Sequence, residues 1–212
     1  MPNYKLGKVV EAMEFSEFLQ HVAKANLPLE QEAYIWLLYY CGVRKSEGFE
    51  RVFSDIQITP EFFIIDFHQR KKNGSTVPPL ELPRKWPGVE ELIQVTKIAA
   101  ARKPLTKMLF YYEKQERKSR IEKNQWLFPN IQSTVAWRIV KRTLGPRYYP
   151  HFLRLNRITE LCGDPNFSLS RLKSFTGIKS LDALQSYLGV SRREQKESLA
   201  WMDKHIKPEE GN

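Results

Sequence analysis

Hydrophobic residues recur along most of the chain at intervals typical of α-helices. Between positions 14 and 25, four apolar residues have the three- and four-residue spacing of an amphipathic helix: Phe15, Phe18, Leu19 and Val22. Positions 29 to 41 are apolar on nearly every side, which is typical of a helix buried at the centre of a domain. Gly42 follows, and glycine readily takes the left-handed conformation that ends a helix.

The later part of the chain contains further segments with helical patterns. Residues 87 to 102 are amphipathic, and Ser133 or Thr134 is predicted to cap the helix that follows it. Other helices are expected at positions 148 to 162, from position 168 onward, and at positions 192 to 206. These segments predict a mainly α-helical protein.

Two stretches depart from the helical pattern. Residues 62 to 67 are rich in aromatics and isoleucine, Asn73-Gly74 is a two-residue hairpin signal, and residues 75 to 82 form the expected return strand. Residues 105 to 123 begin apolar and become a run of mixed charges, which indicates an exposed helix end or a loop. The predicted class is therefore α+β, mainly α with a small antiparallel β-hairpin or sheet.

The overall charge points to a polyanionic partner. The 212 residues have a formal net charge of +10, which suits a protein that binds nucleic acid better than an enzyme of small metabolites. Cys41 and Cys162 lie in apolar helical surroundings, and the four histidines have no spacing suited to zinc, so neither a metal nor a cofactor is expected. No signal peptide or membrane span is evident, so we expect a soluble intracellular protein, in the cytoplasm or on the nucleoid.

One group of residues is suited to chemistry on a phosphate. His151 and Arg154 are three residues apart, which places both side chains on one face of a helix. Tyr187 follows on a later element, and a phenol beside a guanidinium can act as a nucleophile toward a phosphate. Arg44 comes directly after the buried helix, where it either caps the carbonyls of that helix or is held rigidly and directed into a cleft.

Two other segments are candidates for contacts with DNA phosphates. The predicted hairpin has three adjacent cations near its tip, which otherwise would simply be solvated: Arg70, Lys71 and Lys72. The helix after position 133 has three cations that either lie along a DNA backbone or form a solvated face: Arg138, Lys141 and Arg142.

Four motifs, in order, resemble those of the catalytic domain of tyrosine recombinases, the phage-integrase and Xer-like family. The resemblance covers about residues 13 to 187 and rests on Gly-Val-Arg-Lys-Ser-Glu at 42–47, the lysine-bearing hairpin, and His-Phe-Leu-Arg at 151–154. The fourth motif is Phe-Thr-Gly at 175–177, followed by Tyr187. The resemblance implies the fold of that catalytic domain and double-stranded DNA as the partner.

The resemblance also implies a role for each residue of the site. Tyr187 would attack a backbone phosphorus, and Arg44 and Arg154 would bind its non-bridging oxygens. His151 would orient the phosphate or take the phenolic proton. Lys72 would protonate the leaving oxygen, with Lys71 as the alternate.

One position departs from the family pattern. The family usually has a histidine or tryptophan donor where this chain has Ile178, and Lys179 is the nearest candidate to replace that donor. The preferred function is a site-specific recombinase or integrase that needs neither metal nor ATP. Two alternatives remain open: a type IB topoisomerase-like nicking-closing enzyme, and an accessory DNA-binding protein with impaired catalysis, which Ile178 favours.

The resemblance suggests a division of the chain. Residues 1–190 are expected to form the catalytic domain, without the core-binding domain that recombinases of this family normally have. Residues 191–212 are expected to form an amphipathic helix and tail, and such a helix folds back on its own core or docks on a neighbouring protomer. Self-association on DNA as a dimer or tetramer is expected through this helix.

Overall fold

The computed structural model describes residues 13–67, 79–113, 116–162 and residue 175. Its helices are α1 (Phe15–Ala25), α2 (Leu29–Cys41), α3 (Lys45–Phe49), α4 (Val89–Ala101), α5 (Ser133–Leu144) and α6 (Pro150–Cys162). Its strands are β1 (Ile56–Ile58), β2 (Phe62–Ile65), β3 (Leu80–Pro83), β4 (Leu105–Glu113) and β5 (Glu116–Asn124), with a 3-10 turn at Phe53–Asp55 before β1. The predicted α+β class is confirmed.

Helix α2 is the centre of the fold. Every residue from Ala33 to Cys41 is buried, and α4 and α6 pack against the helix. Phe18 of α1 adds a further layer by stacking on Tyr39 at a centroid distance of 4.0 Å. Gly42 ends α2 in the left-handed conformation with φ 54°, as predicted, and its N–H donates to the Leu38 carbonyl at 3.1 Å.

A small antiparallel sheet has the strand order β1-β2-β3. Phe63 and Ile65 of β2 are fully buried, and Phe63 pairs with Leu82 of β3, so one face of the sheet contributes to the core. The predicted pairing of this region is confirmed for residues 80–82, whereas the Asn73-Gly74 turn lies outside the described residues.

The interpretation of residues 105 to 123 as a helix end or loop is wrong, because they form a long antiparallel hairpin of β4 and β5. Lys107 and Leu109 are buried on the face toward the body of the protein. The cross-strand pair Met108 and Ile121 lies on the opposite, solvent-exposed face together with Phe110. Apolar side chains on both faces removed the simple alternation by which a half-buried strand is recognised.

Two helix starts differ from those expected from the sequence. Helix α5 begins at Ser133 with Gln132 as its N-cap and has no side-chain cap, so the predicted Ser133 or Thr134 cap is wrong. Gly88 precedes α4 with φ 78°, and a Cβ there would lie 2.1 Å from the Trp36 ring. Only glycine fits between this turn and α2.

Within the described part of the chain, every helix is too short or too polar to cross a membrane.

Candidate active site at the turn between α2 and α3

Arg44 is placed by the sharp turn between α2 and α3. It is the N-cap of α3, and its side chain is 45% exposed. Nη1 lies 2.8 Å from Oε1 of Glu47, and the Arg44 backbone N–H donates to Oε2 of the same carboxylate at 2.7 Å. Of the two predicted roles for Arg44, capping the carbonyls of α2 is not observed, because Glu47 holds the guanidinium instead.

Arg154, not Arg44, donates a hydrogen bond to a carbonyl at the end of α2. Its side chain is only 3% exposed, and Nη1 donates to the carbonyl oxygen of Gly42 at 2.7 Å. Gly42 precedes Arg44 by two residues, so this hydrogen bond fixes α6 against the turn that presents Arg44. A charged hydrogen bond in so buried a position is short and strong.

His151 lies one turn before Arg154, at the start of α6. Its ring reaches the surface, yet the surrounding protein removes enough water to lower the pKa of the imidazole below its ordinary value of 6.5. The positive charges of Arg154 and Arg44 lower this pKa further. The structure therefore brings these three predicted residues within electrostatic range of one another and keeps the histidine neutral at physiological pH.

Glu47 is a member of this cluster to which the sequence analysis gave no role. Burial alone would raise the pKa of its carboxyl group. The hydrogen bonds and charge of Arg44, together with the charge of Arg154, outweigh burial and lower the pKa, so Glu47 stays ionised. The signal in the sequence was the spacing of three residues from Arg44, which suits an ion pair across the first turn of a helix.

The predicted DNA-contacting cations of α5 lie together at the surface. Arg138, Lys141 and Arg142 are all exposed, while Ile139 and Val140 of the same helix are buried against the core. Helix α5 packs against α1, α3 and α6, so it adjoins the helix that follows Arg44 and the helix that contains His151.

Several predicted residues lie outside the described part of the chain: Arg70, Lys71, Lys72, Ile178, Lys179 and Tyr187. The same applies to the C-terminal segment 191–212, so the predicted division into domains stays a prediction. Among the described residues, no group of three or more histidine, cysteine, aspartate or glutamate side chains is arranged to hold a metal ion. What the described site offers is two guanidiniums and a neutral imidazole, which are suited to binding an anion with several oxygens.

Comparison with known structures identifies the fold. The XerH site-specific recombinase in a post-cleavage complex with palindromic difH substrate matches with a TM-score of 0.65 and 16% identity, over 92% of this chain and 54% of that chain. XerH in a pre-cleavage complex with difH substrate matches with a TM-score of 0.61 and 16% identity over the same shares. The XerA recombinase matches with a TM-score of 0.63 and 14% identity, over 98% of this chain and 68% of that chain.

The chain has the fold of these recombinases. It spans about half the length of the XerH chain. No protein-family model matches the sequence, and no curated protein matches it. The predicted recombinase catalytic-domain fold is thus confirmed by structural similarity.

Proposed function

We propose that this protein is a site-specific DNA recombinase that cleaves and rejoins DNA strands through a covalent link to Tyr187. The main support is the convergence of Arg44, His151 and Arg154 from distant parts of the sequence into one electrostatically coupled cluster. The fold adds to this support, since XerH with the same fold is seen bound to its difH substrate.

The two arginines suit the phosphate of a DNA backbone. When a nucleophile attacks the phosphorus, negative charge accumulates on the non-bridging oxygens, and fixed N–H donors lower the energy of that state. Arg154 is held in advance by Gly42, and Arg44 by Glu47, so little reorganisation is needed when the charge develops. Removal of one such donor typically slows a reaction by about 10²- to 10³-fold.

The neutral imidazole of His151 can accept a proton. In the proposed step the phenolic oxygen of Tyr187 forms a bond to phosphorus, its proton passes to His151, and the bond from phosphorus to the 5′ oxygen breaks. Lys72 donates the proton that the leaving oxygen takes up. The product is a 3′-phosphotyrosyl link and a free 5′-hydroxyl, and reversal of the same step rejoins the strand without ATP.

The binding of double-stranded DNA is proposed to depend mainly on phosphate contacts. The net charge of +10 and the exposed cations Arg138, Lys141 and Arg142 support this mode, in which affinity falls steeply with salt concentration. We further propose that protomers associate on DNA through the C-terminal segment 191–212.

Trapping of the covalent intermediate tests the function. We would incubate the full chain with a pool of nicked duplexes. The bases around the nick are randomised so that the pool includes many target sequences. Because of the nick, cleavage releases a short strand, and the loss of that strand prevents rejoining. The expected result is a protein–DNA species that survives denaturing electrophoresis and disappears in Tyr187→Phe. DNA binding without any adduct would favour the accessory protein, and relaxation of plasmid by a monomer without strand exchange would favour the topoisomerase-like enzyme.

A further inference from the structure

Trp137 of α5 lies beside two lysines. The Lys45 ammonium lies 5.9 Å from the centroid of the indole ring, and the Lys141 ammonium lies 5.5 Å from it. Lys45 belongs to α3, whereas Lys141 follows Trp137 by one turn of α5, so one aromatic side chain brings together cations from two elements. Both distances are within the range of cation–π attraction.

Neither of these lysines has an ion-pair partner in the part of the chain that the structure describes. Throughout the described ranges, no carboxylate forms an ion pair with Lys45 or Lys141, and α5 itself has no acidic residue. Other cations of the same region are paired, such as Arg44 with Glu47 and Arg157 with Glu160. Two unpaired ammonium groups that share one ring repel each other, and a bound anion would relieve that repulsion.

Burial supports the same interpretation. Lys45 is only partly exposed, and the loss of water lowers the pKa of its ammonium group. A partly desolvated cation interacts more strongly with an anion than a fully solvated one does. The indole ring attracts both ammonium groups and limits their movement.

Each of the two lysines is connected to the candidate active site through a different element. Lys45 directly follows Arg44. Trp137 stacks on Tyr149 with a centroid distance of 5.9 Å and an interplanar angle of 21°, and Tyr149 precedes His151 by two residues. Both lysines therefore belong to elements that adjoin the candidate active site.

We infer that Lys45 and Lys141, arranged around Trp137, bind a DNA backbone phosphate that neighbours the reacting one. This inference rests on the proposed function for the identity of the anion. The two lysines are positioning residues, because they touch no reacting atom. By fixing the strand next to the cleaved bond, they hold the reacting phosphate in register with Arg44 and strengthen binding more than they accelerate the chemical step.

Salt-dependent binding tests this inference directly. The variants are Lys45→Gln, Lys141→Gln and the double variant, with Lys97→Gln as a matched control on the exposed side of α4. Binding to a fluorescent duplex would be measured from low to high salt by anisotropy. Each lysine that contacts a phosphate should reduce the slope of log affinity against log salt by about 0.9, and the double variant by about twice that. Lys97→Gln should leave the slope near that of the wild type.

Two further measurements separate the outcomes. Trp137→Leu keeps both charges but should weaken binding several-fold, because the lysines lose the ring that arranges them, and a cooperative melting transition would show that the variant is folded. At saturating DNA, adduct formation in the lysine variants should fall by a smaller factor than the affinity for DNA falls, since the reacting groups are intact.

The results distinguish this inference from the proposed function. If Lys45→Gln and Lys141→Gln both show the same slope of log affinity against log salt as Lys97→Gln, the phosphate contact is overturned, even if the wild type forms adducts. Reduced slopes without any adduct would retain the phosphate contact and contradict the strand-transfer chemistry. Absence of DNA binding by the wild type would overturn both.

Discussion

Arg154 donates a 2.7 Å hydrogen bond from Nη1 to the carbonyl oxygen of Gly42. This contact joins α6 to the turn that presents Arg44, two residues further along the chain. A larger residue at Gly42 would be strained, because φ is 54° and a Cβ would lie 3.1 Å from the side chain of Arg157. The relative position of the two arginines is therefore set by the backbone at Gly42, and Arg154 has both a structural and an electrostatic role.

Arg154→Lys should separate those two roles. A lysine keeps the positive charge but lacks the planar guanidinium, whose several N–H groups can hydrogen-bond the carbonyl and a phosphate together. We expect adduct formation to slow by about 10²-fold or more, and the free energy of unfolding to fall by about 1 to 3 kcal/mol as the Gly42 carbonyl loses its partner. Single-turnover trapping and urea unfolding measure the two effects. Arg157→Lys, on the same helix, serves as the control, and a wild-type rate in Arg154→Lys would contradict the role proposed for this residue.

Glu47→Gln should have opposite effects on binding and on reaction. The variant removes a negative charge from the site, so DNA should bind more tightly at low salt. It also removes the ion pair that orients the Arg44 guanidinium, so the adduct should form about 10-fold more slowly at saturating DNA. The pair is partly exposed, and the change in unfolding free energy should stay below about 1 kcal/mol. A faster reaction together with tighter binding would show that Glu47 does not position Arg44.

The recombinase fold was predictable because its motifs are local in sequence, whereas the details of the site depend on contacts between distant residues. The apolar run of α2 predicted a buried helix, and the glycine after it predicted where that helix ends. Nothing in the sequence indicated that Arg154, not Arg44, would bind the end of α2, since that choice depends on how α6 packs. The β4–β5 hairpin was missed because Met108 and Phe110 are apolar yet face solvent.

The rate of adduct formation should depend on pH through His151. Its pKa lies below 6.5, because burial and the charges of Arg154 and Arg44 disfavour the imidazolium. The imidazole can take the phenolic proton only when it is neutral, so the rate at subsaturating DNA, which reports the DNA-free protein, should be constant near neutral pH and fall in acid, with a midpoint below 6.5. His151→Gln should react more slowly and lose this acidic limb. A midpoint at or above 6.5, or an unchanged limb in His151→Gln, would contradict the assignment.

Lys107 offers a test of the fold that is independent of catalysis. Its buried ammonium donates to the carbonyls of Phe49 and Phe128 at 2.8 and 2.9 Å, which ties β4 to the end of α3. Burial lowers its pKa from 10.5 to about 8. Between these two values the unfolded chain binds more protons than the folded chain, so raising the pH favours folding.

Lys107→Met should lack this pH dependence. From pH 8 to pH 10 the unfolding free energy of the wild type should rise by about 2 kcal/mol relative to the variant, as about 1.4 kcal/mol per pKa unit implies. Urea unfolding at several pH values measures the difference. Parallel pH profiles for the two proteins would show that the pKa of Lys107 is not lowered in the folded state.

The central claim is that Arg44 acts on the charge of the phosphate that Tyr187 attacks. Replacement of one non-bridging oxygen of that phosphate by a methyl group removes the charge while keeping the bond to be broken. The decisive measurement is therefore the rate of adduct formation by wild type and Arg44→Ala on a nicked duplex with a phosphate or a methylphosphonate at the cleavage site. We predict a loss of about 10²-fold or more for Arg44→Ala on the phosphate and a much smaller loss on the methylphosphonate. An equal loss on both substrates, or no loss on the phosphate, would contradict the account.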